Sequence, residues 1–173
     1  MRQRLFASAI LMAMTAVALA SGSRPADAKA NFLGQHEAWA AYSNGSGNKL
    51  TCFVVSQPIS TLPKNVNRDP VFFMITHWPR EKTYHQVSVI TGYPYKKGSV
   101  ATVTVGADKF NLYTMKDGAW VEHHSTEIRM VRAMKAGAKM TVKGTSWRGT
   151  VTTDTYSLSG ITAALAQLQK ECK

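Results

Sequence analysis

Apolar residues in the middle of this chain recur in short alternating runs closed by Gly, Asn, Asp or Pro, which is the pattern of half-buried strands. Val100, Val103 and Val105 are interleaved with threonines, Phe110 and Leu112 with polar partners, and Met140 and Val142 with Lys139, Thr141 and Lys143. Upstream, Glu37 to Ser43 and Lys49 to Ser56 flank Asn44-Gly-Ser-Gly-Asn48, a cluster that reads as a hairpin loop. Val71-Phe-Phe-Met-Ile75 is a continuous apolar run of strand length, and Pro70 and Pro79 on either side argue against a helix. Tyr84 to Thr91 supplies the next strand, reached through Trp78 to Thr83, and a Lys116-Asp117-Gly118 turn leads into Ala119-Trp120-Val121. Gln57 to Pro70, with three prolines, reads as the longest loop, embedded between strands and no domain boundary.

Two segments change period. In Ser125 to Gly137, Met130, Val131, Ala133 and Met134 share one helical face while Arg129, Arg132 and Lys135 share the other. Ser125 or Thr126 can cap that helix and Gly137 can end it. At the C-terminus, Ser159 is a reasonable cap for a second helix, and Ile161, Leu165, Leu168 and Cys172 fall on one narrow arc. The expected fold is therefore mainly β, a single-domain antiparallel β-sandwich or partly closed barrel with two short helices, at about 126–135 and 160–171.

The N-terminus adds a compartment. Met1-Arg-Gln-Arg4 is a short basic region, Leu5 to Ala20 is uncharged and apolar, and small residues follow, as in a secretory signal peptide. Ala28-Lys29-Ala30 is the favoured cleavage motif, ahead of Ala26-Asp27-Ala28 and Ala18-Leu19-Ala20, giving a leader of residues 1–30 and a single domain of 31–173. The apolar run is short for a membrane span and nothing later resembles a stop-transfer helix, so the periplasm is expected, with a secreted or envelope-associated protein as the alternative. Losing four cations and one acid with the leader takes the formal charge from +11 to +8. Outside the cytoplasm a basic surface suits an anionic lipid, lipopolysaccharide or glycan better than nucleic acid; simple solubility is the bland alternative.

Cys52 and Cys172 both lie in the exported part, where disulfides persist. Two cysteines permit one intramolecular pairing; free or intermolecular thiols are the alternative. A bridge over so long a loop contributes ~4–5 kcal/mol in the chain-entropy picture.

Catalytic signals are weak. His123 and His124 are adjacent, and in a strand would face opposite sides; His77 and His85 could approach across strands but lack a third metal ligand. Gly144-Thr-Ser-Trp-Arg-Gly149 looks like a nucleophile elbow, yet Arg148 stands where the elbow needs glycine. A hydrolase would need His77, His85, His123 or His124 within hydrogen-bond reach of Ser146. The plainer reading is a tight turn with Gly144 and Gly149 supplying unusual dihedrals, and Ser146, Trp147 and Arg148 as candidate turn or ligand contacts. No catalytic residue, metal site or cofactor is expected.

Several segments together carry a family resemblance: Trp39, Cys52-Phe-Val-Val-Ser-Gln-Pro58, Gly92-Tyr-Pro94, Ala119-Trp120, Ala133-Met-Lys-Ala-Gly137, Ser146-Trp-Arg-Gly-Thr150 and Asp154 to Leu165 with the terminal Cys172. This chain resembles the invasion-associated locus B family of alphaproteobacterial envelope proteins over nearly its whole mature length. Members often carry a further cysteine pair near the first tryptophan, which is missing here beside Tyr42. The resemblance implies a small periplasmic or envelope-associated β-rich domain and brings no catalytic residues with it. The expectation is thus an exported, non-enzymatic binding or structural module. Its partner would be an unknown envelope component, either anionic or another envelope protein, met through an exposed ridge of Arg129, Arg132 and Lys135, with host interaction as one setting for that binding. An envelope hydrolase or a carrier holding a small ligand in an apolar cavity is the alternative.

Overall fold

Alternation becomes register in the structure, a computed structural model that describes residues 30–172; the leader expected at 1–30 falls almost wholly outside the described residues. Eleven strands, β1 (Asn31–His36), β2 (Trp39–Asn44), β3 (Thr51–Ser56), β4 (Ser60–Leu62), β5 (Phe72–Trp78), β6 (Thr83–Ile90), β7 (Val100–Val105), β8 (Asp108–Met115), β9 (Gly118–Trp120), β10 (Lys139–Thr145) and β11 (Val151–Ser157), form one antiparallel sheet. Its order is β1-β2-β3-β5-β6-β9-β8-β7-β10-β11-β4, with β1 and β4 as free edges, so the sheet is not closed. It curls over at the short β6–β9 pairing, which spans only Ser88 to Ile90. One leaf then faces the other: Phe73 of β5 packs edge-on against Tyr156 of β11 at 5.8 Å and against Trp39 of β2 at 6.1 Å. The Trp39 indole N–H crosses the gap to the Ser157 carbonyl at 3.1 Å, satisfying a donor that burial would otherwise strand.

The inner face is the apolar half of each alternation. Val54, Phe73, Ile75, Val87, Val89, Val103, Leu112, Met140 and Val142 are all buried there, while their strand neighbours point outward. Two helices close the remaining openings. The first, α1 (His124–Ala136), has His123 as its N-cap, two residues before Ser125, the earlier of the expected caps, and buries Glu127, Met130, Val131 and Met134. Serine or threonine capping is not used: Glu127 instead turns inward and its carboxylate accepts the Val87 N–H at 3.0 Å, a donor that β9 is too short to pair. The second, α2 (Ile161–Glu171), starts after Gly160 rather than at a Ser159 cap. Gly160 has φ +89, and a Cβ there would come within 2.0 Å of the His36 carbonyl, so both backbone geometry and space exclude other residues.

The α2 stripe packs on β1–β3 as its sequence arc implies, with Ile161, Leu165 and Leu168 buried. Cys172 ends it and is bonded to Cys52 on the inner face of β3, with Cα atoms 6.0 Å apart and a sequence separation of 120. Two strands lie where no strand was expected. β1 carries a bulge between Phe32 and Gly34 and is held by Gln167 of α2, which donates to the Leu33 carbonyl at 3.0 Å. The three-residue β4 sits inside the segment expected to be loop, borrowing the free edge of β11. Among the described residues no helix is long and apolar enough to cross a membrane.

Replacing Cys172 with Ser should lower the melting temperature of the oxidised protein by roughly 10–15 °C, the equivalent of ~4 kcal/mol in a domain of this size. Under full reduction the two proteins should melt together; equal melting in oxidising buffer would show that the clasp adds nothing.

Candidate functional site

Asp154 occupies an inward position on β11, between Thr152 and Tyr156, and is wholly buried. A carboxylate there must be paired. Its partner comes from the long connection between β4 and β5: Arg68 donates Nη1 to Asp154 Oδ2 at 3.0 Å and Nη2 to Oδ1 in a bidentate pair. Burial works against the guanidinium charge, but the hydrogen bonds and charge of Asp154 outweigh it and hold the Arg68 pKa above its ordinary value. The guanidinium also lies 5.8 Å from the centre of the Tyr93 ring, whose hydroxyl meets Thr152 Oγ1 at 2.6 Å. Burial pushes the Tyr93 and Tyr95 hydroxyls up, so both stay protonated.

Above this floor opens a cleft of about 560 Å3. One wall is the β4–β5 connection, with Asn65, Asn67 and Asp69; the second is Gly92-Tyr93-Pro94; the third is the β10–β11 hairpin tip. The tip is tied by its own backbone: Ser146 N–H donates to the Thr150 carbonyl at 2.9 Å and Gly149 N–H to the Ser146 carbonyl at 2.8 Å. Trp147 N–H reaches the Pro94 carbonyl at 2.9 Å, locking the tip to the second wall. Gly149 has the expected left-handed backbone, φ +86, whereas Gly144 does not; Gly144 is bare because a Cβ would meet the Tyr95 ring at 2.7 Å. Trp147 stands out at the rim, 59% exposed, with the Arg148 guanidinium 4.9 Å from its ring centre.

The expected residues separate into distinct groups. Ser146, Trp147 and Arg148 do line the cleft, but the Ser146 hydroxyl accepts the Thr150 N–H at 3.2 Å and serves the turn. Among the described residues no histidine lines the cleft. His77 and His85 pack edge to face at 4.9 Å beside α1, His123 is exposed, and His124 Nδ1 sits 3.0 Å from Glu127 Oε2. His123 and His124 occupy the start of α1. Among the described residues no three His, Cys, Asp or Glu side chains are grouped to hold a metal ion. Arg129, Arg132 and Lys135 are exposed on α1 and form no ion pair among the described residues, although Arg129 leans over Phe110 at 5.7 Å.

Sequence reading missed Arg68, Tyr93 and Asp154. The signal for Asp154 was its parity: an acid on the core-facing side of an alternating strand requires a buried cation. Which cation could not be read, because Arg68 lies 86 residues away in an irregular segment. Three of the segments that carry the family resemblance, Gly92-Tyr-Pro94, Ser146 to Thr150 and the strand holding Asp154, meet around this one cleft.

His77 is buried against His85 and Tyr84 with neither ring nitrogen hydrogen-bonded among the described residues, and burial, then the charges of His85 and Lys135, lower its pKa to about 4. In the unfolded chain it titrates near 6.5. Between those values only the unfolded chain takes up the proton. The stability from neutral His77 is therefore complete above pH 6.5 and is lost as pH falls toward 4, by up to about 3 kcal/mol. Melting from pH 7 to 4.5 should show this slope, and His77→Phe should flatten it; an unchanged slope would remove His77 as its source.

The comparisons with known proteins agree on the architecture. A crystal structure of invasion associated protein B from Bartonella henselae matches with a TM-score of 0.53 and 14% identity, over 79% of this chain and 97% of that one, which shows a shared fold. No curated protein matches this chain. The family model described as Invasion associated locus B (IalB) protein matches residues 39–169, from the first core tryptophan to the last turns of α2. The chain belongs to the Invasion associated locus B family.

Proposed function

We propose that this protein is an exported, non-enzymatic binding module of the cell envelope, and that its ligand is an anionic envelope component, a lipopolysaccharide or other acidic glycan, held in the cleft beside Trp147. The observation that carries the reading is Trp147 itself. A large aromatic ring 59% exposed at a rigid turn does nothing for the core, yet it is fixed at the mouth of a polar cleft. A flat indole offers a stacking surface to the C–H face of a sugar ring. The amides of Asn65 and Asn67 and the Asp69 carboxylate line the same space as donors and acceptors, and Arg148 supplies charge for an acidic substituent. The long-range disulfide suits an oxidising compartment. Such a module would be periplasmic or envelope-associated, with no cofactor.

A second reading places the anionic partner on α1, because Arg129, Arg132 and Lys135 are exposed there at helical spacing and unpaired among the described residues. One experiment separates the two. Purified mature protein is titrated with lipopolysaccharide, peptidoglycan fragments and acidic polysaccharides. Trp147→Ala should weaken binding at least tenfold, ~1.4 kcal/mol, while alanine at all three α1 cations leaves it within about twofold. The reverse result moves the site to α1, and failure of the wild-type protein to bind any of these ligands removes the proposal.

A further inference from the structure

Cross-strand register places an unusual surface on the outside of the first leaf. Phe32 of β1, Tyr42 of β2 and Phe53 of β3 are successive partners, and their rings touch: Phe32 meets Tyr42 at 5.5 Å and Tyr42 stacks on Phe53 at 5.4 Å. One row along, Val55, Met74, Ser88 and Trp120 are paired across β3, β5, β6 and β9, and Trp120 stacks on Tyr113 of β8 at 5.9 Å. A third row adds Phe72 opposite Ile90. Every outward position of β2, β3, β5, β6 and β9 is uncharged.

The core does not account for these side chains. Cys52, whose side chain points to the opposite face of β3, is the one bonded to α2, and α1 places Arg129 over Phe110 on the inner side of β8. Both helices therefore lie on the inner side, and no described element covers the outer face of this leaf. The second leaf shows what a solvated face looks like in the same molecule: outward positions on β7, β10 and β11 are mainly polar, with Thr102, Thr104, Thr141, Lys143, Thr153 and Thr155, and the apolar Val100 and Val151 stand singly at strand ends. The first leaf departs from that pattern over six adjacent strands.

We propose that this face is where two copies of the chain associate, back to back across a two-fold axis. Charge decides the occupant. Each mature copy carries +8, so two copies repel at most of their surface, and a face without cations is where they can meet. An anionic lipid surface would be matched by lysines set among the aromatics, and there are none; Lys49, Arg80 and Lys82, with Glu81, stand only at the rim, in or beside the loops ending β2 and β5. Six strands ~4.8 Å apart and ~20 Å long give a footprint of about 500 Å2, so a pair buries on the order of 1,000 Å2. That is the lower bound for a specific interface, which suits a reversible dimer rather than an obligate one.

Sedimentation velocity on the mature chain from about 5 to about 500 μM, at roughly 0.05 M and 0.5 M salt, tests this. The wild-type protein should dimerise reversibly, and several-fold more tightly at high salt, because screening weakens the rim repulsion. Ser88→Lys adds a charge at the centre of the face without deleting an apolar contact and should weaken dimerisation at least tenfold; Met74→Lys should do the same, and Thr155→Lys on the other leaf should not. Melting of each variant checks that it is folded, and the salt dependence of the wild type decides the matter if a variant is not. A protein that stays monomeric at every concentration and salt overturns the proposal, as does a dimer that ignores both face variants. So does a monomer that binds phosphatidylglycerol vesicles through this face, with binding lost in Ser88→Lys and weakened by salt.

Discussion

A carboxylate sealed inside a β-sandwich is the constraint around which one end of this molecule is arranged. Asp154 is wholly buried, and its charge is tolerable only because Arg68 meets it in a bidentate pair. Removing one member of such a pair typically costs ~3–5 kcal/mol, since the other is left charged and dry. To make that contact the irregular connection between β4 and β5 must fold back across the open end of the sandwich. Once there, its Asp69 N–H pairs with the Gly92 carbonyl at 3.0 Å, and the second wall of the cleft follows. The hairpin tip then locks onto Pro94. A buried ion pair thus organises a surface cleft by fixing the loops that form its walls.

The opposite end is held by different means. There α2 packs its apolar stripe on β1–β3 and the Cys52–Cys172 bond ties it to the inner face of β3. Between the ends, Trp39, Phe73 and Tyr156 join the two leaves through edge-on aromatic contacts worth about 0.5–1.5 kcal/mol each beyond their burial. A domain with two free sheet edges therefore depends on a covalent clasp at one end and an ion pair at the other. The clasp forms only where thiols can oxidise.

Much of the fold was legible because period two and period 3.6 are local signals. The strands around Val54, Val103, Leu112 and Val142 and the buried stripe of α2 fall where the pattern puts them, and the single possible pairing of Cys52 and Cys172 is the bond observed. β1 and β4 escaped because an edge strand needs little side-chain patterning when a neighbour supplies the ladder, and β1 is bulged as well. The start of α1 was misplaced because its inward Glu127 answers a tertiary need, the free Val87 N–H, and not a local capping rule. The hairpin residues Ser146, Trp147 and Arg148 were visible as candidates, but the cleft was not: its walls come from three separate segments brought together by a contact across 86 residues.

The Arg68–Asp154 pair and the loops it fixes frame the cleft proposed above as the ligand site. The most direct measurement is site-specific photo-crosslinking in intact cells, with the reactive residue placed at Asn67 on the cleft wall and, as a control, at the exposed Lys109 on the second leaf. A discrete adduct with an envelope glycan from position 67 and none from position 109 is the predicted result. Capture at both positions alike, or at neither, would contradict it.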